Sequence, residues 1–187
     1  MNQEQIIDIF KETGALLDGH FILRSGLRSP NFFQCATVCQ HLDKVSLLAQ
    51  SLLEKCSHLE FDTVLAPAMG GLVIGQELAR QAGKRFIFVE KMNDKLEMRR
   101  GFQLAHDEKV LIVEDVVTRG GRVREALEIV NSHNAIAKGI AVLVDRSQGK
   151  VDFTSPLIPL VELSFPTYEL ENIPDELKCI TPTKPGS

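Results

Sequence analysis

The feature that most constrains the fold is an alternation of short apolar runs with helical segments through the middle of the chain. The runs are TVLAP at 63–67, RFIFVE at 85–90, KVLIVED at 109–115 and KGIAVLVD at 138–145. Apolar runs without polar alternation are typical of strands in a parallel sheet that helices cover on both faces. The segments at 71–81 and 121–133 are predicted helices. We therefore expect an α/β fold with an open, mainly parallel, doubly wound sheet flanked by helices.

The two ends of the chain depart from this alternation. Helical spacing predicts an amphipathic first helix that contains Ile6, Ile9, Phe10 and Leu17. A turn at 25–30 is expected to precede a strand around Phe32 and Phe33, and a second helix is predicted at 43–56. LIPLVELS, from 157, is expected to form a last strand or an edge hairpin, and the tail from about 171 is expected to be irregular. With 187 residues and no linker, the chain is expected to form one domain.

Charge and cysteine content exclude several classes of partner. The formal net charge of -4 provides no overall attraction to nucleic acid or to an anionic membrane. The first residues contain no basic leader segment, and no apolar run is long enough to span a bilayer. The four cysteines form no CxxC pair and no zinc-type spacing with the histidines. We expect a cytoplasmic protein with structural thiols that binds neither nucleic acid nor a membrane.

The segment with the most specific chemistry is KVLIVEDVVTRGGR, residues 109–122. Its apolar run ends in two adjacent acids, and a loop with Thr118 and two glycines then enters a predicted helix. Ligands of open α/β sheets bind beyond the carboxyl ends of strands. Glycines let the backbone present its N–H groups, and the helix directs its positive end at the loop, which suits a phosphate. Each feature alone is common in ordinary turns, but together with acids for sugar hydroxyls they predict a ribose 5-phosphate site.

VLIVEDVVTRGG resembles the phosphoribosyl pyrophosphate signature of the type I phosphoribosyltransferases. Other phosphate loops do not match, since the chain has no GxxxxGKS or GxxxxGKT and no GxGxxG after a strand. Four further segments resemble the orotate phosphoribosyltransferases of this superfamily. They are GHFILRSGLRSPNFFQCA (from 19, the hood), APAMGGLVIGQELA (from 66, the pyrophosphate loop), RRGFQL (from 99, after the mobile catalytic loop) and VDRSQG (from 144, the orotate-binding arginine). The resemblance extends from about residue 3 to the C-terminus.

This resemblance implies a magnesium-dependent transfer of the 5-phosphoribosyl group from phosphoribosyl pyrophosphate to N1 of orotate. It also implies a hood of about 1–40 plus the C-terminal segment on a core of about 41–165. The implied phosphoribosyl pyrophosphate contacts are Arg24, Glu114, Asp115, Val116, Val117, Thr118, Arg119, Gly120, Gly121 and Arg122. The implied orotate contacts are Thr118, Arg146, Phe32 and Phe33, and the implied catalytic residues are Lys91 and Asp115. Mg²⁺ is expected to be held mainly by pyrophosphate and water, in a homodimer whose active sites are shared across the interface.

The chemistry of Arg146 agrees with this role. Orotate has a carboxylate, which an arginine fork can bind through two parallel hydrogen bonds, whereas a purine has none. The alternative is a surface arginine paired with Asp145 or Glu162. Two other functions stay open at this point: a phosphoribosyltransferase for adenine or xanthine, and a regulator that keeps the fold and senses phosphoribosyl pyrophosphate. A regulator of that kind normally carries a DNA-binding extension or a basic face, and the sequence contains neither.

The chain departs from the family pattern at the pyrophosphate loop and in the signature. Met69 and Gly70 stand where some members carry a tyrosine and a lysine. Arg119 and Arg122 replace small or hydroxyl residues, which removes possible hydroxyl donors to the 5-phosphate and adds two positive charges. The mobile loop is also shorter than in some members. Backbone N–H groups and Mg²⁺ are therefore expected to supply part of the charge neutralisation.

Overall fold

The structure is a computed structural model that describes residues 1–23 and 25–185. These residues form, in chain order, α1 (Gln3–Glu12), β1 (Leu16–Ile22), β2 (Arg28–Phe33), α2 (Leu42–Lys55), β3 (Thr63–Pro67), α3 (Gly71–Ala82), β4 (Arg85–Met92), β5 (Lys95–Glu97), β6 (Lys109–Val117), α4 (Gly121–Ser132), β7 (Ile136–Asp145), β8 (Leu157–Glu162) and α5 (Asp175–Lys178). Short 3-10 helices span Cys35–Gln40 and Leu170–Asn172. Within this part of the chain, no helix combines the length and apolar character needed to cross a membrane.

Six strands form the central sheet, in the order β5-β4-β3-β6-β7-β8. Neighbouring strands are parallel, except that β5 runs antiparallel to β4. Successive side chains of a strand point to opposite faces, so β6 contributes to two separate cores. Leu111 and Val113 pack in a core with α1, α2 and α3, whereas Val110 and Ile112 pack in the core that contains α4. The expected parallel α/β sheet with helices on both faces is confirmed.

The carboxyl ends of the inner strands meet at one edge of this sheet. Val117 at the end of β6 is opposite Asp145 at the end of β7, and Asp145 is opposite Glu162 at the end of β8. β3 runs parallel to β6 with Leu65 opposite Ile112, so β3 ends beside the second half of β6. Loops that follow these strands are therefore brought close together, which is the arrangement that open α/β sheets use for ligands.

The N-terminal and C-terminal segments are joined outside the central sheet. β1 and β2 form an antiparallel pair, and its main chain bonds to the C-terminal segment through Ile22 N to Thr183 O, 2.9 Å, and Thr183 N to His20 O, 2.8 Å. The main chains of Arg28 and Tyr168 exchange two further hydrogen bonds. The ring of Phe33 contacts that of Phe10 edge to face, with 5.1 Å between centroids, and both rings are buried in the core below α1.

The first helix is shorter than its apolar spacing suggests. It ends at Glu12, and the chain reverses at Gly14, which has a φ of 70°. Leu17 lies in β1 with 41% of its surface exposed, so the prediction that it continues the helix was wrong. The expected turn is confined to the segment before Arg28, because β2 already includes Ser29 and Pro30. The last predicted strand is confirmed as β8, which is parallel to β7 at the edge of the sheet.

Candidate active site

The end of β6 and the start of α4 enclose the most prominent candidate site. The connecting segment, residues 118–120, is called the β6–α4 loop below. Gly120 precedes the helix with a φ of 72°, a left-handed conformation that glycine adopts without a steric penalty. A cavity of about 310 Å³ is lined by all residues from Glu114 to Val123. The structure therefore brings together all nine residues that the signature predicted at 114–122.

Two adjacent acids at the end of β6 occupy different environments. Glu114 is buried, and burial, reinforced by the negative charge of Asp115, raises the pKa of Glu114 well above its ordinary value of 4.5. One carboxyl oxygen of Glu114 accepts a hydrogen bond from Asp115 N at 3.2 Å, and the other has no partner in the described residues. Asp115 is half-buried and accepts from Val116 N at 2.7 Å. The raised pKa favours the neutral form of Glu114, and a neutral carboxyl can both donate to and accept from a sugar hydroxyl.

The loop between β3 and α3 packs directly against these acids. A Cβ at Gly70 would lie 2.5 Å from Oδ1 of Asp115, and a Cβ at Gly71 would lie 2.5 Å from the main-chain oxygen of Val113. Met69 is the most exposed large apolar side chain of this loop, at 78%. A side chain at position 70, such as the lysine of some family members, would therefore require the carboxylate of Asp115 to move.

Arg146, directly after β7, is held by its backbone and by an aromatic ring. Its N–H donates to Val117 O at 2.8 Å, and its guanidinium carbon lies 5.0 Å from the centroid of Phe165. The side chain is half-buried, and this burial lowers the pKa of Arg146. Among the described residues Arg146 forms no ion pair, and Asp145 accepts a hydrogen bond from Ser147 N instead. The alternative pairing with Asp145 or Glu162 is therefore not observed.

A second cavity, of about 360 Å³, lies between Arg146 and the β6–α4 loop. Its lining consists of Thr118, Arg119, Arg146, Ser147, Gln148, Lys150 and Val151. Thr118 and Arg119 also line the first cavity, so the two cavities share one wall. Three of the lining side chains are cationic and none is acidic. The arrangement suits two linked anionic ligands, one at each side of the loop.

Three other predicted residues, Phe32, Phe33 and Lys91, line neither of these two cavities. Phe32 and Phe33 line a separate cleft with Ile22, Leu23, Gln34, Lys184 and Pro185. The ring of Phe32 contacts Phe21 at 5.7 Å between centroids. Lys91 is exposed in β4 and pairs with Asp94 at 2.9 Å. Arg24 lies outside the described residues. The described residues include no group of three or more His, Cys, Asp or Glu that could hold a metal ion by itself.

Sequence reasoning missed three side chains that contact the site. The ring of Phe165 contacts the guanidinium of Arg146. The side chain of Arg124 contacts the ring of Phe153 and bonds to the β6–α4 loop. Phe153 and Phe165 lie in irregular segments that flank β8 and carry no local signal of their role. Arg124 lies on an exposed face of α4, where an arginine is unremarkable in sequence.

Comparison with known proteins gives consistent matches. Residues 39–158 match the family model described as a phosphoribosyl transferase domain. The chain is 45% identical over 187 residues to an orotate phosphoribosyltransferase of Desulforamulus reducens, a match that covers 100% of this chain and 98% of that protein. An orotate phosphoribosyltransferase of Chlorobium phaeobacteroides is 43% identical over 187 residues, with 100% and 97% covered. The solved orotate phosphoribosyltransferase of Aeropyrum pernix has the same fold, with a TM-score of 0.74 and 24% identity over 84% of this chain and 93% of that chain.

Proposed function

The chain belongs to the orotate phosphoribosyltransferase family, and we propose that its two adjoining cavities bind the two substrates of that family's reaction. The enzyme transfers the 5-phosphoribosyl group of phosphoribosyl pyrophosphate to N1 of orotate, which gives orotidine 5′-monophosphate and pyrophosphate in pyrimidine biosynthesis. The observation that carries the proposal is the position of Arg146, a cation without an acidic partner in the described residues, beside the β6–α4 loop.

In this proposal the cavity at 114–123 receives the ribose 5-phosphate part of phosphoribosyl pyrophosphate. Backbone N–H groups of residues 116–122 and the positive end of α4 bind the 5-phosphate. Arg119 and Arg122, which line this cavity, add two positive charges where other members commonly have small or hydroxyl residues. The carboxyl groups of Glu114 and Asp115 bind the ribose hydroxyls. The raised pKa of Glu114 supports this role, because a neutral carboxyl can donate and accept at once.

The second cavity receives orotate in this proposal. The guanidinium of Arg146 binds the carboxylate or a ring carbonyl of orotate in a two-pronged contact, and Thr118 contacts the ring from the loop side. The position of the guanidinium over the Phe165 ring supports this assignment, because the contact restricts the side chain before the substrate arrives. Phe32, Phe33 and Arg24 stay proposed contacts from the hood.

In this proposal the protein promotes the reaction by orienting the two substrates and by stabilising the charge that develops on the ribose ring. The bond from N1 of orotate to C1 of ribose forms as the bond from C1 to pyrophosphate breaks, with oxocarbenium character and inversion at C1. No covalent nucleophile is required. Asp115 faces the ribose and offsets positive charge that develops on the ring, and closure of the hairpin of β4 and β5 brings Lys91 to the pyrophosphate and excludes water.

Mg²⁺, bound mainly through pyrophosphate oxygens and water, would neutralise charge on the leaving group. Asp115 fits this mode, since its half-buried carboxylate near the end of β6 can assist the ion through water. We further propose a cytoplasmic homodimer in which Lys91 of one subunit acts in the site of the other. The observation behind this proposal is that Lys91 pairs with Asp94 over 2.9 Å and lines neither cavity of its own subunit.

The identity of the accepted base is tested by measuring the release of pyrophosphate from phosphoribosyl pyrophosphate with several bases in turn. We expect release with orotate, little with uracil, which lacks the carboxylate, and none with adenine or xanthine. Release with a purine instead would indicate a purine phosphoribosyltransferase. Tight binding of phosphoribosyl pyrophosphate without release by any base would indicate a regulator.

A further inference from the structure

The side chains of Arg124 and Phe153 contact each other beside the β6–α4 loop. Nη1 of Arg124 donates a hydrogen bond to the main-chain oxygen of Arg119 over 2.7 Å. The guanidinium carbon of Arg124 lies 5.2 Å from the centroid of the Phe153 ring. A Cβ at Gly120 would lie 2.6 Å from Cζ of Phe153 and 3.3 Å from Nη1 of Arg124. The same stacked pair therefore contacts both residues at the tip of the loop.

The hydrogen bond determines which way the peptide between Arg119 and Gly120 faces. In a trans peptide the carbonyl and the N–H point in opposite directions. While Arg124 holds the carbonyl of Arg119, the N–H of Gly120 points away from Nη1 of Arg124. A carbonyl turned into the cavity would present negative charge to a phosphate, so this orientation of the peptide matters for an anionic ligand.

An acid four residues further along a helix is within reach of an arginine side chain, although the reverse order of the two charges is the more favourable one. Glu128 occupies that position relative to Arg124, yet the salt bridges of the described residues include no pair between them. The guanidinium is turned to the loop instead, and Phe153 supports it from the side. Arg124 therefore bonds to the loop carbonyl and not to the acid within its reach, which is the geometry of a support for that loop.

We propose that Arg124, stacked on Phe153, is a positioning residue that holds the Arg119–Gly120 peptide with its N–H available to the 5-phosphate. This inference rests on the proposed role of the β6–α4 loop in binding the ribose 5-phosphate group. Arg124 does not touch the substrate. Its effect is confined to the affinity for the phosphate-bearing substrate, and Phe153 acts through it.

The positioning role of Arg124 is tested by calorimetric titration of ribose 5-phosphate and of orotate into the parent protein and its variants. Arg124→Met is expected to weaken ribose 5-phosphate on the order of 10-fold and to change orotate affinity by less than about twofold. Arg124→Lys, which keeps the donor, is expected to recover part of the loss. Phe153→Leu is expected to weaken ribose 5-phosphate too, and the double variant should lose less than the product of the two single losses, because the residues act as one unit.

The matched control is Arg80→Met, which removes an exposed helical arginine that pairs with Glu77 far from the loop. It should leave both affinities unchanged. A parent that binds ribose 5-phosphate, together with an Arg124→Met variant that binds it equally well, would overturn this inference alone. Equal loss of both ligands in that variant would also overturn it. A parent that binds no ribose 5-phosphate would overturn the proposed phosphate site itself.

Discussion

The guanidinium of Arg146 lies over the ring of Phe165, with its central carbon 5.0 Å from the ring centroid. The cation has no acidic partner in the described residues, and Arg146 lines the same cavity as Thr118. Stacking of this kind contributes modestly to affinity by itself, but it removes the need to order a long side chain when the substrate binds.

Replacement of Phe165 therefore should affect one substrate. Phe165→Leu is expected to raise the KM for orotate about 3- to 10-fold, because the guanidinium loses its support. The KM for phosphoribosyl pyrophosphate should stay within about twofold. Steady-state kinetics with each substrate varied in turn measures the difference, and Phe165→Tyr, which keeps the ring, is the control. Equal increases in both KM values would show that the change is general and not specific to Arg146.

Glu114 makes stability depend on pH in a defined direction. Burial and the charge of Asp115 raise the pKa of Glu114 in the folded protein above its ordinary value of 4.5. The folded state therefore holds a proton that the unfolded state loses, and stability falls as pH rises above about 4.5 towards the folded pKa. Glu114→Gln removes this loss. The variant should melt at a higher temperature than the parent near about pH 8 and at the same temperature near about pH 4. A constant difference between the two proteins across this range would contradict the raised pKa.

Gly120 and Gly121 are adjacent in sequence, but a side chain is expected to be tolerated only at position 121. Gly120→Ala is expected to lower the free energy of unfolding by about 1 to 3 kcal/mol, because the left-handed conformation disfavours a side chain and the new Cβ meets Phe153. Gly121→Ala places its Cβ in open space at the start of α4 and should change stability little. Chemical denaturation of both variants measures the two values. Similar losses at the two positions would show that the Phe153 contact is not responsible.

Mixing two inactive variants tests whether Lys91 acts across a dimer interface. Lys91→Ala and Arg146→Ala should each have little activity alone. If Lys91 serves the partner's site, each mixed dimer has one intact site, and random exchange should restore about a quarter of the parent activity. No recovery after exchange, confirmed by a size measurement that shows dimers, would place Lys91 in the site of its own subunit. A parent that is monomeric at assay concentration would contradict the shared site altogether.

Much of the fold follows from local sequence. The four apolar runs form β3, β4, β6 and β7, and apolar runs of this length are typical of strands in a parallel sheet that helices cover. The helix predicted from 71 begins at Gly71 as expected. The strand at 109 continues to Val117, two residues beyond the predicted end, so Glu114 and Asp115 lie within the strand. This explains the burial of Glu114, which its place at a predicted strand end did not suggest.

The parts that could not be predicted depend on contacts between distant segments. Gly70 approaches Asp115 only because β3 and β6 are adjacent in the sheet. Phe153 and Phe165 reach the site from irregular segments, and no spacing connects them with Arg124 or Arg146. β1 was missed since its residues also satisfy helical spacing, and Gly14 with its positive φ decides against the helix. Local patterns therefore predicted the site's main chain, but not the side chains that support it.

Consumption of orotate, followed by its loss of ultraviolet absorbance in the presence of Mg²⁺ and phosphoribosyl pyrophosphate, tests the central claim most directly. The parent should consume orotate only when phosphoribosyl pyrophosphate is present. Arg146→Ala should lose on the order of 100-fold in kcat/KM for orotate, because a charged two-pronged contact is removed. Arg80→Ala, the surface control, should match the parent. Absence of orotate consumption by the parent, or an Arg146→Ala variant as active as the parent, would contradict the assignment of this cavity to orotate.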